Sequence, residues 1–391
     1  MDTKIPIKIK DKIRSVFTSI DDLILARAPG RINLIGEHTD YNKGLVLPAS
    51  IDTYLYVAIR FTTEKTICVH ALDLGDTQHI SLDKLELTGT LWVDYLIGLL
   101  LEFKAIGVNL KPFECTITSE VPIGAGVSSS AALDCAFLIA LNALFETHLS
   151  PWDLVHMSNR SNNNFLGIKS GILDQFASIF GEAHHILFLD CDNLEYKKIE
   201  LVPSDYTWLL INTCVKHTHL TSGYNDRVNE CKQALSSIQS RYPWAAHLSA
   251  ITSLGQLSEV DFENSTTKSR AEFICEENAR VRAYMEALHQ GDLERCGELL
   301  YASHDGLSNK YEVSCSELDF LVELFRENDA VLGSRMMGGG FGGCTLNLVH
   351  RDAISDVQEI AKHAYFDAFG IEAEFIVVNI SGGAEVLSNG Q

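Results

Sequence analysis

Twelve residues, Val121-Pro122-Ile123-Gly124-Ala125-Gly126-Val127-Ser128-Ser129-Ser130-Ala131-Ala132, constrain this chain more than any other segment. They follow Phe113 to Val121, where apolar and polar side chains alternate as in a half-buried strand. They lead into Ser128 to Phe145, rich in Ala and Leu and free of Gly and Pro. The pattern predicts a strand, a tight glycine loop and a buried helix that opens with serines able to cap it. Glycines let a backbone approach an anion closely, and the unpaired N–H groups at a helix start favour negative charge. Such a loop either holds a polyphosphate or simply turns a strand into a helix. It is not a Walker A loop, because the Gly-Lys-Ser/Thr ending is missing. A dinucleotide fingerprint fits poorly, since Ser129 stands where the third glycine belongs.

Charge makes a local anion site the only plausible kind here. The chain has 391 residues, with 31 Lys and Arg against 52 Asp and Glu, a formal net charge of -21. That balance argues against a broad nucleic-acid or anionic-membrane surface. No apolar run approaches the roughly 20 residues of a membrane span, and Met1 to Phe17 does not read as a signal peptide. Ten scattered cysteines with no C-x-x-C pair are expected to be reduced thiols in a cytoplasmic protein. His184-His185 and His217-Thr218-His219 lack the context of metal ligands.

Length sets a prior of about two domains. Periodicity predicts a helix near Lys8 to Phe17, strands near Leu23 to Ala28 and Thr53 to Phe61, and an amphipathic helix over Leu91 to Ile106. The second half opens on strand-like Tyr206 to Asn212. Helices are expected near Asn225 to Arg241, Arg270 to Leu288 and Ser316 to Glu327, and strands near Thr345 to Val349 and Ala373 to Val378. This is α+β territory, with an expected division into 1–205 and 206–391.

Two further segments concentrate functional groups. Ala28-Pro29-Gly30-Arg31-Ile32-Asn33-Leu34-Ile35-Gly36-Glu37-His38-Thr39-Asp40-Tyr41 packs turn residues and mixed donors and acceptors behind an apolar strand. Pro29-Gly30 either turns the chain beside surface ion pairs, or the cluster binds several hydroxyls of a sugar. Gly338-Gly339-Gly340-Phe341-Gly342-Gly343-Cys344 has five glycines in seven residues, more than a turn needs, and points to a loop close to a ligand. Between them, Asp174 sits among apolar neighbours in Ser170-Gly171-Ile172-Leu173-Asp174-Gln175-Phe176.

In order and spacing these segments resemble the three motifs of the GHMP small-molecule kinases, in the variants of the galactokinase branch. The resemblance implies a two-domain α+β fold with the active site in the cleft between the domains. It also implies ATP-dependent phosphorylation of the anomeric hydroxyl of galactose. Residue by residue, it implies Arg31 and Asp174 at the reacting hydroxyl, and Glu37, His38, Thr39, Asp40, Gly171 and Tyr224 around the sugar. Trp92 would lie against adenine, and Gly124, Ala125, Gly126, Val127, Ser128, Ser129 and Ser130 around the phosphates. Magnesium is implied with ATP, at Ser130 and at the residue twelve positions before Asp174. That position is a glutamate in similar kinases and Asn162 here, with no acid between Asp153 and Asp174 to replace it. Weaker magnesium binding is the expectation. A sugar-1-kinase for another sugar, or a non-catalytic galactose-binding regulator, are the alternative readings.

Overall fold

Along Pro48–Phe61, Tyr54, Tyr56 and Ala58 join one apolar cluster while Leu55, Val57 and Ile59 join another. Successive side chains of a strand point to opposite faces, so this strand has to be covered on both sides. A computed structural model, describing residues 5–215 and 220–387 except the side chains of 220–222, shows how. Pro48–Phe61 is internal to a six-stranded sheet in the order Glu385–Leu387, Ile24–Asn33, Pro48–Phe61, Phe113–Ser119, Ile67–Ala71, Asp76–Ile80. Only the Phe113–Ser119 and Ile67–Ala71 pair is parallel. The helix Ile7–Arg14 seals one face through Ile9 and Ile13. Helices Leu91–Ala105, Ser129–Leu144 and Pro151–Arg160 supply the large core on the other.

A second, antiparallel sheet runs Val331–Met336, Cys344–His350, Tyr206–Asn212, Glu374–Val378. Leu209 and Ile211 pack with residues of helices Ser316–Leu324 and Ile354–Phe369, whereas Trp208 and Leu210 join the core of the first sheet. Helices Leu220–Arg241, Ser265–Gln290 and Leu293–Asn309 contribute to a third cluster around Phe273, Ile274, Leu307 and Tyr311. The fold is α+β, as expected. Its last strand, Glu385–Leu387, returns to the first sheet beside Ile24–Asn33, and Ile380 bridges to Ile51.

One alternative is excluded and one local expectation is corrected. Pro29-Gly30 does not turn the chain: the strand Ile24–Asn33 runs on through both residues, with a register shift between Pro29 and Arg31. A bulge of this kind re-aims the side chain that follows it. Ser128 occupies the N-cap position of the Ser129–Leu144 helix, yet its side chain makes no capping bond. Its backbone is left-handed, φ 59°, and its hydroxyl is used elsewhere. All ten cysteines are free, and among the described residues no helix is long and apolar enough to cross a membrane. His217-Thr218-His219 lie outside the described residues.

Candidate active site

Arg31 follows that bulge and is only 5% exposed. Its guanidinium meets one carboxylate oxygen of Asp174, with Nε and Nη2 at 2.8 and 2.7 Å from Oδ1. Nη1 donates to the Gly126 carbonyl at 2.5 Å. Asp174 is the second residue of the helix Leu173–Phe180, where the helix end favours a carboxylate. Its other oxygen, Oδ2, accepts the Ser128 hydroxyl at 2.6 Å. Arg31, Asp174 and the glycine loop are therefore one hydrogen-bonded unit built from three distant parts of the chain.

Beside it lies a cleft with about 410 Å³ of empty space, lined by Arg31, Asp174, Glu37, His38, Asp40, Ser170, Gly171, Leu173, Tyr224, Gly338 and Gly339. The lining includes nearly every residue that the resemblance implied for the sugar. Thr39 is the exception: it is fully buried, and its hydroxyl is shared between the carbonyls of Gly36 and Leu45, at 2.9 and 2.7 Å. It shapes the loop and does not face the cleft. Asp40 accepts backbone N–H groups from Tyr41 and Leu173. Burial, and then the neighbouring Asp174 charge, push its carboxyl up to about 6. Gly171 is required at its position because a Cβ there would stand 1.9 Å from Asp40 Oδ2.

Glu37 is buried, and its Oε1 accepts from Arg335 Nη2 and from the Gly338 N–H, both at 2.9 Å. Arg335 is wholly buried and also donates to the carbonyls of Asn33, Leu34 and Met336. This arginine was not singled out in the sequence. The only signal was a lone charge inside the strand Val331–Met336, three residues before the glycine run. It ties the first motif to the third. The third motif is rigidly seated rather than loose: Gly340 has φ 81°, and a Cβ on it would stand 2.1 Å from the Val313 carbonyl.

Of the expected phosphate loop, Ala125 and Val127 are fully buried and anchor it, while Gly124 is open to solvent. Trp92 lies half-buried in the first turn of Leu91–Ala105, packed on the main core outside the sugar cleft.

Asn162 sits buried in a five-residue π-turn, Ser161–Phe165. Its Nδ2 donates to Asp134 Oδ2 at 3.1 Å, which also accepts the Ser158 hydroxyl at 2.6 Å. A carboxylate therefore does stand beside Asn162, from the neighbouring helix one turn beyond Ser130. Asp134 Oδ1 and Asn162 Oδ1 are buried without hydrogen-bond partners. Among the described residues, no three acidic, His or Cys side chains cluster as a ready metal site. The unpartnered oxygens fit a hard cation that keeps waters and leans on a ligand's phosphates.

The chain is similar to known proteins along nearly its whole length. The galactokinase galactose-binding signature matches residues 14–61, the GHMP kinases N terminal domain 94–182 and the GHMP kinases C terminal domain 284–367. A galactokinase of Thermotoga maritima is 36% identical over 361 residues, covering 92% of this chain and 99% of its own. A crystal structure of Lactococcus lactis galactokinase complexed with galactose superposes with a TM-score of 0.92 at 35% identity, covering 97% of this chain and 98% of that one. The mevalonate kinase of Methanococcus jannaschii shares the fold, with a TM-score of 0.66 at 16% identity over 92% of this chain and 98% of that one. The chain belongs to the galactokinase family of GHMP kinases.

Proposed function

We infer that this protein transfers the γ-phosphoryl group of ATP to the anomeric hydroxyl of D-galactose, giving galactose 1-phosphate and ADP. The observation that carries the reading is the joining of Arg31, Asp174 and Gly126 at the edge of a cleft lined with sugar-binding groups. Phosphoryl transfer depends mainly on alignment and charge stabilisation, so one carboxylate at the hydroxyl and one cation beside it are sufficient apparatus. Asp174 orients the anomeric hydroxyl and takes its proton as transfer proceeds. Arg31 pairs with Asp174 and stabilises charge on the moving phosphoryl group. The Ser128 hydroxyl holds the second carboxylate oxygen, which leaves Asp174 little rotational freedom. Glu37, His38, Asp40, Gly171 and Tyr224 hold the sugar, Gly124 to Ser130 the phosphates and Trp92 the adenine. On the division into 1–205 and 206–391 the two lobes meet at the site, with the strand Glu385–Leu387 of the second crossing back to the sheet of the first.

Magnesium would be held by Ser130, the Asn162 amide oxygen, water and ATP oxygens, with Asp134 behind Asn162; it would neutralise phosphate charge. Asn162→Glu is expected to lower the magnesium concentration giving half-maximal rate, read by titration at fixed ATP. A cytoplasmic location agrees with the ten free thiols.

A panel of hexoses and pentoses compared by kcat/KM tests the substrate. Galactose is expected to lead clearly, because a site built to pair sugar hydroxyls rejects analogues that leave its buried groups unpaired. A preference for another sugar would overturn the assignment. The Asp40 carboxyl adds a pH dependence: its acceptor role needs the ionised form, so kcat/KM for galactose is expected to fall as pH drops through about 6. Asp40→Asn, weaker throughout, should lack that limb.

A further inference from the structure

His38 lines the sugar cleft, its backbone is left-handed at φ 60°, and its Nε2 is buried with no partner. On the far side of the ring, Nδ1 lies 2.9 Å from the Tyr41 hydroxyl. Tyr41 OH is 2.8 Å from Tyr311 OH, which is 3.0 Å from Cys231 Sγ. At the end of this line stands Asn42, whose Nδ2 donates to the His38 carbonyl at 2.9 Å and to Cys231 Sγ at 3.6 Å. We propose that this hydrogen-bonded line, Asn42 to Cys231 to Tyr311 to Tyr41, fixes the proton of His38 on Nε2 and makes that atom a donor to a hydroxyl oxygen of the bound sugar. Tyr41, Tyr311 and Cys231 are then positioning residues. The inference rests on the sugar-kinase reading of the same cleft.

Polarity follows from the fixed end. The carbonyl of His38 determines which end of the Asn42 amide is nitrogen, and a nitrogen can only donate. Cys231 sulfur accepts from it and has its own S–H to give, and Tyr311 OH is the acceptor within reach. Tyr311 then donates to Tyr41, and Tyr41 to Nδ1. The reverse polarity would make the sulfur accept twice and leave the buried thiol proton without a place in the line. Every member is protonated at neutral pH: burial pushes the Cys231 thiol up to about 11 and both phenols well above their ordinary range. Burial, then Arg227 and Arg335, lower the imidazole to about 3 against the raising effect of the Gly339 backbone beside the ring, which leaves it neutral. A neutral ring has one proton, so the nitrogen that carries it decides whether the ring offers the sugar a donor or an acceptor. The cleft around Nε2 already holds acceptors in Glu37, Asp40 and Asp174. A donor there complements them.

Two measurements test this. Nitrogen-15 spectra of histidine-labelled protein without sugar, assigned with His38→Gln, are expected to show His38 protonated at Nε2 and bare at Nδ1. A proton on Nδ1 would overturn the proposal. In steady-state kinetics Cys231→Ala is expected to raise KM for galactose roughly threefold to tenfold with little change in kcat, the loss of about one hydrogen bond's worth of orientation. Cys231→Ser, which restores a donor, should return KM towards the wild-type value. An unchanged KM in Cys231→Ala, or a failure of serine to rescue it, contradicts the relay. If Cys231→Ala does not fold, the wild-type spectrum decides alone. Absence of any sugar phosphorylation by the wild-type protein would strike at the kinase reading and leave the tautomer result standing.

Discussion

Asp174→Asn is expected to lower kcat by roughly 10²- to 10⁴-fold, the range a positioned proton acceptor contributes. The substitution keeps the shape of the side chain and removes its charge and basicity. Arg31 loses its ion-pair partner, although its bond to the Gly126 carbonyl keeps it in place. Because both residues stay folded into the same strand and helix, galactose should still bind. Calorimetry with galactose and single-turnover rates with ATP separate the two effects. A variant with near-normal kcat would mean that Asp174 neither orients nor deprotonates the hydroxyl.

The second large effect concerns Arg335. Its guanidinium has no exposure and is held by Glu37 and by three backbone carbonyls of two different strand ends. Arg335→Met is expected to cost roughly 3–5 kcal/mol, because it leaves Glu37 buried with a charge and no cation. Denaturant unfolding read by fluorescence measures it. A companion change separates charge from packing: in Glu37→Gln/Arg335→Met the penalty should shrink, since no unpaired carboxylate remains. Equal destabilisation in the single and double variants would show that the arginine acts through its carbonyl contacts alone.

Much of this was legible in the sequence, and what was not has a common physical origin. The Phe113–Ser119 strand and the Ser129–Leu144 helix announce themselves by local periodicity, so their boundaries came within a few residues. Arg31, Asp174, Glu37, His38, Asp40, Gly171 and Tyr224 were singled out through the resemblance, and the fold brings all seven to one cleft. Thr39 was carried along by its motif, although its hydroxyl answers a local need for the carbonyls of Gly36 and Leu45. Ser128 looked like a helix cap because capping is the usual work of a serine there; a left-handed backbone turned it towards Asp174 instead. Asp134, Arg335 and Tyr311 were missed for one reason. Each meets a partner remote in sequence, and each resembles an ordinary core or ion-pair residue until that partner is known. The short returning strand Glu385–Leu387 carries too few residues for a pattern.

The central claim, that Arg31 and Asp174 present the anomeric hydroxyl of galactose to ATP, is tested most directly by phosphorus-31 spectroscopy of the purified protein incubated with galactose, ATP and magnesium. The predicted result is loss of the ATP γ-signal with growth of ADP and a single sugar phosphate coupled to the anomeric proton. A phosphate on any other oxygen of galactose, or none formed at saturating magnesium, would contradict it.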